Sequence, residues 1–96
     1  MVTRLDVIQK KEVILRLAGE HGARDVRLFG SVARDESTPS SDVDLLVRMD
    51  RERSLLDRIA LIQDLQEVLR CNVDVVNDQA LAPSIRDQVL AEAVTL

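Results

Sequence analysis

Two aspartates, Asp42 and Asp44, are separated by one residue in the segment SDVDLLV. Alternate residues of a β-strand point to the same face, so the two carboxylates are expected to project together, with Cα atoms about 6.5 to 7 Å apart. Adjacent negative charges on a half-buried strand are costly unless a cation neutralises them. Because carboxylate oxygens are hard ligands, the pair predicts a site for Mg²⁺ or Mn²⁺.

A third aspartate, Asp74, lies in the segment VDVV, at a position where a buried strand normally carries an apolar residue. Its β-branched neighbours predict a strand that pairs beside the strand of Asp44. Three aspartates in one patch are typical of sites that hold two metal ions for in-line phosphoryl or nucleotidyl transfer. In this interpretation Asp42 and Asp44 bridge both ions. Asp74 completes the shell of the catalytic ion and accepts a proton from the attacking hydroxyl.

A glycine-serine turn, Gly30-Ser31, follows the apolar segment VRLF, with ten residues between Ser31 and Asp42. Glycine lets a phosphate approach the backbone closely, and free N–H groups in the helical segment that follows bind phosphate oxygens. The Ser31 hydroxyl can donate to a β- or γ-phosphate oxygen. Arg34, one helical turn further on, is placed to offer its guanidinium group to a triphosphate or to an aspartate.

Each of these residues also has a purely structural interpretation. Asp42 fits a turn, Ser31 a helix cap, and Asp74 a carboxylate at a strand edge. A structural ion pair explains Arg34 as well as a phosphate contact does. An isolated Asp-x-Asp pair carries little information, but its conjunction with the Gly-Ser turn and a third aspartate, in the order that one reaction requires, favours catalysis.

Length and composition limit the possible functions. The 96 residues predict one small domain, residues 1–96, with no room for a separate substrate domain. The formal net charge of −4 and the single aromatic residue, Phe29, disfavour direct nucleic-acid binding. No segment approaches the ~20 apolar residues of a membrane span, and the amino-terminal residues lack the apolar part of a secretory signal. With Cys71 as the only cysteine, we expect a cytoplasmic protein.

Helical and strand patterns alternate along the chain. Residues 6–20 predict a helix, with Thr3 as its cap and Gly22 after its last turn. A second helix is predicted to begin at Ser54, in a partial capping box with Asp57, and a last helix near Pro83. The second helix has a predicted core stripe comprising Leu55, Ile59, Ile62, Leu65 and Leu69.

Strands are predicted at residues 26–30, 43–48 and 71–77, with a polar loop at 35–41. These elements predict an α/β (α+β) domain, in which a small mixed sheet of about three strands is backed by helices.

The motifs GSVAR, SDVDLLV and VDVV, in this order, resemble those of the minimal nucleotidyltransferases of the DNA polymerase beta-like superfamily. The resemblance extends through the closing IRDQVLAEAV to almost the whole chain, and it implies the nucleotidyltransferase fold. By position, it implies that Gly30 and Ser31 bind the nucleotide phosphates. It further implies that Asp42 and Asp44 hold two Mg²⁺ ions and that Asp74 holds the catalytic one.

Members similar to this chain are commonly paired with a HEPN-type ribonuclease toxin. The resemblance therefore implies an antitoxin that transfers AMP from ATP to a tyrosine of that toxin, within a hetero-oligomer. Asp35, where many relatives have glycine, departs from the family pattern and brings unfavourable charge close to the phosphate site. An alternative hypothesis is a binding module that neutralises the toxin without catalysis. An enzyme for a small hydroxyl compound, such as an aminoglycoside, is disfavoured by the missing substrate domain.

Overall fold

The computed structural model describes all of residues 1–96. Its helices are α1 (Arg4–Gln9), α2 (Lys11–Glu20), α3 (Gly30–Ala33), α4 (Leu55–Leu69) and α5 (Pro83–Glu92). Its strands are β1 (Ala23–Phe29), β2 (Val43–Met49), β3 (Val73–Asn77) and β4 (Val94–Thr95), and a 3₁₀ turn covers Asp78–Ala80. No helix combines the length and the hydrophobicity that a membrane span requires. The predicted α/β class is confirmed.

The four strands form one mixed sheet in the order β3-β2-β1-β4. β1 runs antiparallel to both β2 and β4, whereas β2 and β3 are parallel. The prediction of about three strands omitted β4, whose two residues pair with Arg27 and Leu28 of β1. A strand of two residues has no alternating pattern of its own, so only its pairing partner defines it.

The hydrophobic core lies on one face of this sheet. Val43, Leu45 and Val47 of β2 are buried there, in a cluster that includes Ile14 of α2 and Leu61 of α4. Because side chains alternate along a strand, the residues between them point to the opposite face. The core packing of β2 therefore directs Asp44 away from the hydrophobic interior.

The predicted helix over residues 6–20 is two helices. Lys10 interrupts it, with φ −102° and ψ 15°. The Thr3 cap is confirmed, since its side chain accepts a hydrogen bond from the backbone of Asp6. Gly22 has the expected left-handed conformation, with φ +76°.

The core stripe predicted for α4 is wrong at its amino end. Leu65 and Leu69 are buried, but Leu55 and Ile59 are 59% and 40% exposed. Apolar residues occupy more than one face of this helix, so helical spacing alone could not choose between two overlapping stripes. The capping box is confirmed: the Asp57 carboxylate accepts from the backbone N–H of Ser54 at 2.8 Å.

Candidate active site

The parallel pairing of β2 and β3 brings Asp44 beside Asp74. The two residues are partners in the strand register, so their side chains leave the same face of the sheet from neighbouring strands. Asp44 is half-buried and Asp74 is exposed, whereas Val43 and Val73, one residue earlier, are buried in the core. The two aspartates therefore lie on the face opposite the core.

Asp42 lies immediately before β2 and is exposed. Burial raises the pKa of Asp44, and the negative charges of Asp74 and then Asp42 raise it further, while Arg34 lowers it. None of these three aspartates takes part in an ion pair. The ion pairs of the chain involve other acids, such as Asp78, which contacts Arg48. The three aspartates thus form a negative patch that no cation of the chain pairs with directly.

The Gly30 turn lies against the Asp44 carboxylate. Phe29, the last residue of β1, is the register partner of Asp44, and Gly30 follows with φ +79°. A Cβ atom added at Gly30 would clash with Asp44 Oδ2. Glycine is therefore favoured here for two reasons, its left-handed backbone and the absence of a Cβ that would displace the Asp44 carboxylate.

Ser31 connects this turn to the loop before β2. Its Oγ donates to Ser41 Oγ at 3.3 Å, and Ser41 Oγ accepts from the backbone N–H of Thr38 at 2.8 Å. The alternative interpretation of Ser31 as a helix cap is wrong, because the cap residue of α3 is Phe29 and it makes no capping side-chain hydrogen bond. The Ser31 hydroxyl is held between the turn and the loop that leads to Asp42.

Arg34 makes ion pairs with two glutamates. Its Nε lies 3.0 Å from Glu36 Oε2, and its Nη1 lies 3.2 Å from Glu92 Oε1 of α5. Its hydrogen bond with Glu36 raises the pKa of Arg34. The structure thus shows Arg34 in ion pairs, as the structural interpretation expected. Its contact with a triphosphate stays a prediction.

Asp35 is paired with Arg4, whose Nη2 lies 2.8 Å from Asp35 Oδ2. Its backbone is left-handed, with φ +57°, a conformation that glycine adopts without strain. The geometry therefore gives a physical reason for glycine at this position. In this chain, Arg4 offsets the negative charge that Asp35 brings close to the Gly30 turn.

The donor set matches a hard divalent cation in its chemistry. No group of three or more His, Cys, Asp or Glu side chains converges closely enough in this arrangement to hold a metal ion. Asp42, Asp44 and Asp74 nevertheless offer carboxylate oxygens, the ligands that Mg²⁺ prefers. Since Asp42 and Asp74 are exposed, their side chains have room to turn toward Asp44.

A cleft of about 390 Å³ adjoins the aspartate patch and was not predicted from the motifs. It follows β3, the edge strand of the sheet, from Asp74 to Asn77, and the amino end of α4 forms its other side. Arg58 of α4 lines it and donates to the backbone carbonyl of Val75 at 2.7 Å. The sequence gives little indication that Arg58 lines a cleft. It is recognisable only as a basic residue in the first turns of the helix that Ser54 caps.

The family model of the nucleotidyltransferase domain matches residues 9–96. A Methanocaldococcus jannaschii protein, provisionally named a protein adenylyltransferase, is 37% identical over 90 residues, which are 94% of this chain and 97% of that protein. The protein adenylyltransferase MntA of Thermococcus cleftensis is 40% identical over 73 residues, 76% of this chain and 74% of that protein.

Solved structures agree with these matches. A structure provisionally identified as a minimal nucleotidyltransferase is 43% identical, with a TM-score of 0.89, covering 99% of this chain and 97% of the other. A chain in the complex of a tri-AMPylated Shewanella oneidensis HEPN toxin with MNT antitoxin shares the fold, with a TM-score of 0.69 at 21% identity, covering 92% and 69%. The match of the family model over nearly the whole chain decides the assignment: this chain belongs to the nucleotidyltransferase domain family.

Proposed function

We propose that this nucleotidyltransferase is an Mg²⁺-dependent protein adenylyltransferase. It transfers AMP from ATP to a hydroxyl group, a tyrosine of a partner HEPN-type toxin, and thereby acts as an antitoxin. Two relatives that match most of the chain carry the name protein adenylyltransferase. The partner is proposed from the fold shared with the complex of a HEPN toxin and MNT antitoxin.

One observation carries the proposal: the Asp44 carboxylate lies against the Gly30 turn, and Asp74 is the register partner of Asp44 on the neighbouring strand. Nucleotidyl transfer needs a negative site for divalent cations next to a cradle for the phosphates. The raised pKa of Asp44 reflects its burial and the uncompensated charges of Asp74 and Asp42. An acid in this state gains from a cation supplied with the substrate.

The residues divide the reaction among themselves. Gly30 and Ser31 bind the β- and γ-phosphates, and the three aspartates would hold two Mg²⁺ ions, which neutralise phosphate charge when bound. Asp74 accepts the proton of the attacking hydroxyl and passes it to water. The hydroxyl oxygen forms a bond to the α-phosphorus while the bond to pyrophosphate breaks, and pyrophosphate leaves on the side of Gly30.

The test is a transfer assay on the protein encoded beside this one. We would incubate the two proteins with Mg²⁺ and ATP and weigh the products by mass spectrometry. We expect the neighbour to gain whole AMP units on a tyrosine, and to gain none with an ATP analogue that has a methylene group between its α- and β-phosphorus atoms. Binding and neutralisation without added mass would refute the enzymatic proposal in favour of a binding module.

A further inference from the structure

The cleft along β3 is joined to the proposed catalytic patch at one residue only. Asp74 lines the cleft, whereas Gly30, Ser31, Asp42 and Asp44 do not. The order of strands places β1, with the Gly30 turn at its end, on one side of Asp44 and β3 on the other. Across the sheet, the Gly30 turn is therefore followed by Asp44, then by Asp74, and then by the cleft.

The inference rests on the proposed function. Together with that function, the order of these features indicates the side from which the attacking hydroxyl approaches. In an in-line displacement, the attacking oxygen and the leaving group lie on opposite sides of the phosphorus atom. If pyrophosphate leaves on the side of Gly30 and Ser31, the attacking hydroxyl must approach from the side of Asp74. The cleft is the space that opens on that side.

The lining of the cleft suits an aromatic hydroxyl side chain. Met49, Leu55, Val76 and Ala80 give it apolar walls, and the other five lining residues are polar: Asp74, Asn77, Ser54, Arg53 and Arg58. A tyrosine side chain has the matching character, with an apolar ring and a polar hydroxyl at its tip.

Exposed apolar side chains lie at the amino end of α4, on one side of the cleft. Leu55 is 59% exposed and lines the cleft, and Leu56 and Ile59 in the next positions of α4 are 75% and 40% exposed. Exposed apolar side chains that adjoin one another mark protein contact sites more often than isolated ones do. A small hydroxyl compound would make no use of this rim, whereas a folded acceptor protein would cover it.

We infer that the cleft receives the acceptor tyrosine of the partner protein, and that Leu55, Leu56 and Ile59 form the docking surface around it. The partner presents an apolar patch to the first turns of α4 and inserts its tyrosine toward Asp74. Acceptor choice then depends on α4, a part of the chain outside the Gly-Ser and Asp-x-Asp motifs.

The docking surface is tested with the double variant Leu55→Glu/Leu56→Glu. Negative side chains in the first turn of a helix favour its dipole, so α4 should stay folded. The matched control is Leu5→Glu/Ile8→Glu, which replaces two exposed apolar residues of α1 with the same change of charge. Titration calorimetry with the proposed HEPN-type partner should show at least tenfold weaker binding for the α4 variant and an unchanged Kd for the α1 control. Unchanged binding by the α4 variant overturns the inference.

The cleft is tested separately with Ala80→Trp, which places a large ring in it from an exposed position. We expect the kcat of AMP transfer to fall at least tenfold while the Kd for ATP with Mg²⁺ stays unchanged, because the phosphate-binding turn lies outside the cleft. Full transfer by this variant overturns the cleft as acceptor site. Binding needs no chemistry, so a wild-type protein that binds through α4 but adds no AMP would refute the proposed function and leave the docking surface in place.

Discussion

The outer face of β2 carries an acid near one end and a base near the other, and the two ends differ in how their charges are neutralised. Arg48 pairs with Asp78 at 3.2 Å, and the Asp78 side chain is only 4% exposed. Asp44 is half-buried on the same face, with Asp74 as its neighbour and no ion pair of its own. The buried Asp78 has its cation within the chain, whereas Asp44 has no ion-pair partner there.

We expect the largest effect when the negative charges of Asp42 and Asp44 are removed. In the variant Asp42→Asn/Asp44→Asn, AMP transfer should fall by roughly 10³-fold or more, because amide groups cannot replace two carboxylates at a divalent cation. Transfer is measured by mass spectrometry of the partner. The control is Asp87→Asn, an exposed acid of α5, which should transfer at the wild-type rate. Full transfer by the double variant would mean that Asp42 and Asp44 are not the metal ligands.

The second effect tests why Gly30 must be glycine. Gly30→Ala should lower the free energy of unfolding by about 2–3 kcal/mol, since the left-handed backbone costs about 1–2 kcal/mol and the new Cβ displaces the Asp44 carboxylate. Gly19→Ala is the matched control. A Cβ there meets no atom within 4 Å, so the change should stabilise α2 by roughly 0.5–1 kcal/mol. Urea unfolding distinguishes the two, and equal effects would contradict the contact with Asp44.

The third prediction concerns the end of β2 at which Arg48 pairs with Asp78. Asp78→Asn should lower the free energy of unfolding by about 1–2 kcal/mol, because it leaves Arg48 without its carboxylate and removes a charge-assisted hydrogen bond. The value lies below that of a fully buried pair since the Arg48 side chain is 37% exposed. Asp44→Asn should cost nothing in the same urea titration. A larger loss for Asp44→Asn than for Asp78→Asn would reverse the comparison.

The two ends also differ in how well the sequence predicts them. Asp44 and Asp74 interrupt short apolar strands, so alternation alone brings them to the face opposite the core, and the register of β2 and β3 then makes them neighbours. Asp78 carries no such signal, because it follows a strand and its burial depends on packing beside Arg48. Pairs that are distant in sequence are equally silent: Arg34 contacts Glu92, 58 residues later.

The ambiguity of α4 has the same origin. Leu55, Ile59, Leu61 and Leu65 are all apolar, and either of two overlapping stripes could have faced the sheet. The tertiary packing buries Leu61 and Leu65 and leaves Leu55, which lines the cleft, and Ile59 exposed. Local patterns therefore predicted the residues proposed for catalysis, while the surface proposed for the acceptor appears only once the sheet is assembled.

The smallest effect is the pH dependence of stability, which should have opposite signs at two carboxyl groups. Hydrogen bonds from Ser54 lower the pKa of Asp57, so its contribution to stability is present above the ordinary carboxyl pKa of about 4 and is lost as the pH falls through the folded value. Burial and neighbouring acids raise the pKa of Asp44. The folded state then binds its proton more tightly than the unfolded state does, so stability falls as the pH rises from about 4 through the raised value.

Asp44→Asn should remove that fall, and Mg²⁺ should oppose it in the wild-type protein, because a cation that binds only the folded state stabilises it. The measurement is a set of thermal unfolding curves between pH 4 and 7, with and without millimolar Mg²⁺. The Mg²⁺-dependent gain in Tm should be larger at pH 7, where the carboxylates are ionised, and absent from Asp42→Asn/Asp44→Asn. The Asp78→Asn variant should keep the gain, because the wild-type Asp78 carboxylate is paired with Arg48 and is not expected to bind Mg²⁺. An equal Mg²⁺ response in both variants would show that the cation binds elsewhere, and the distinction between the two ends of β2 would then have no bearing on metal binding.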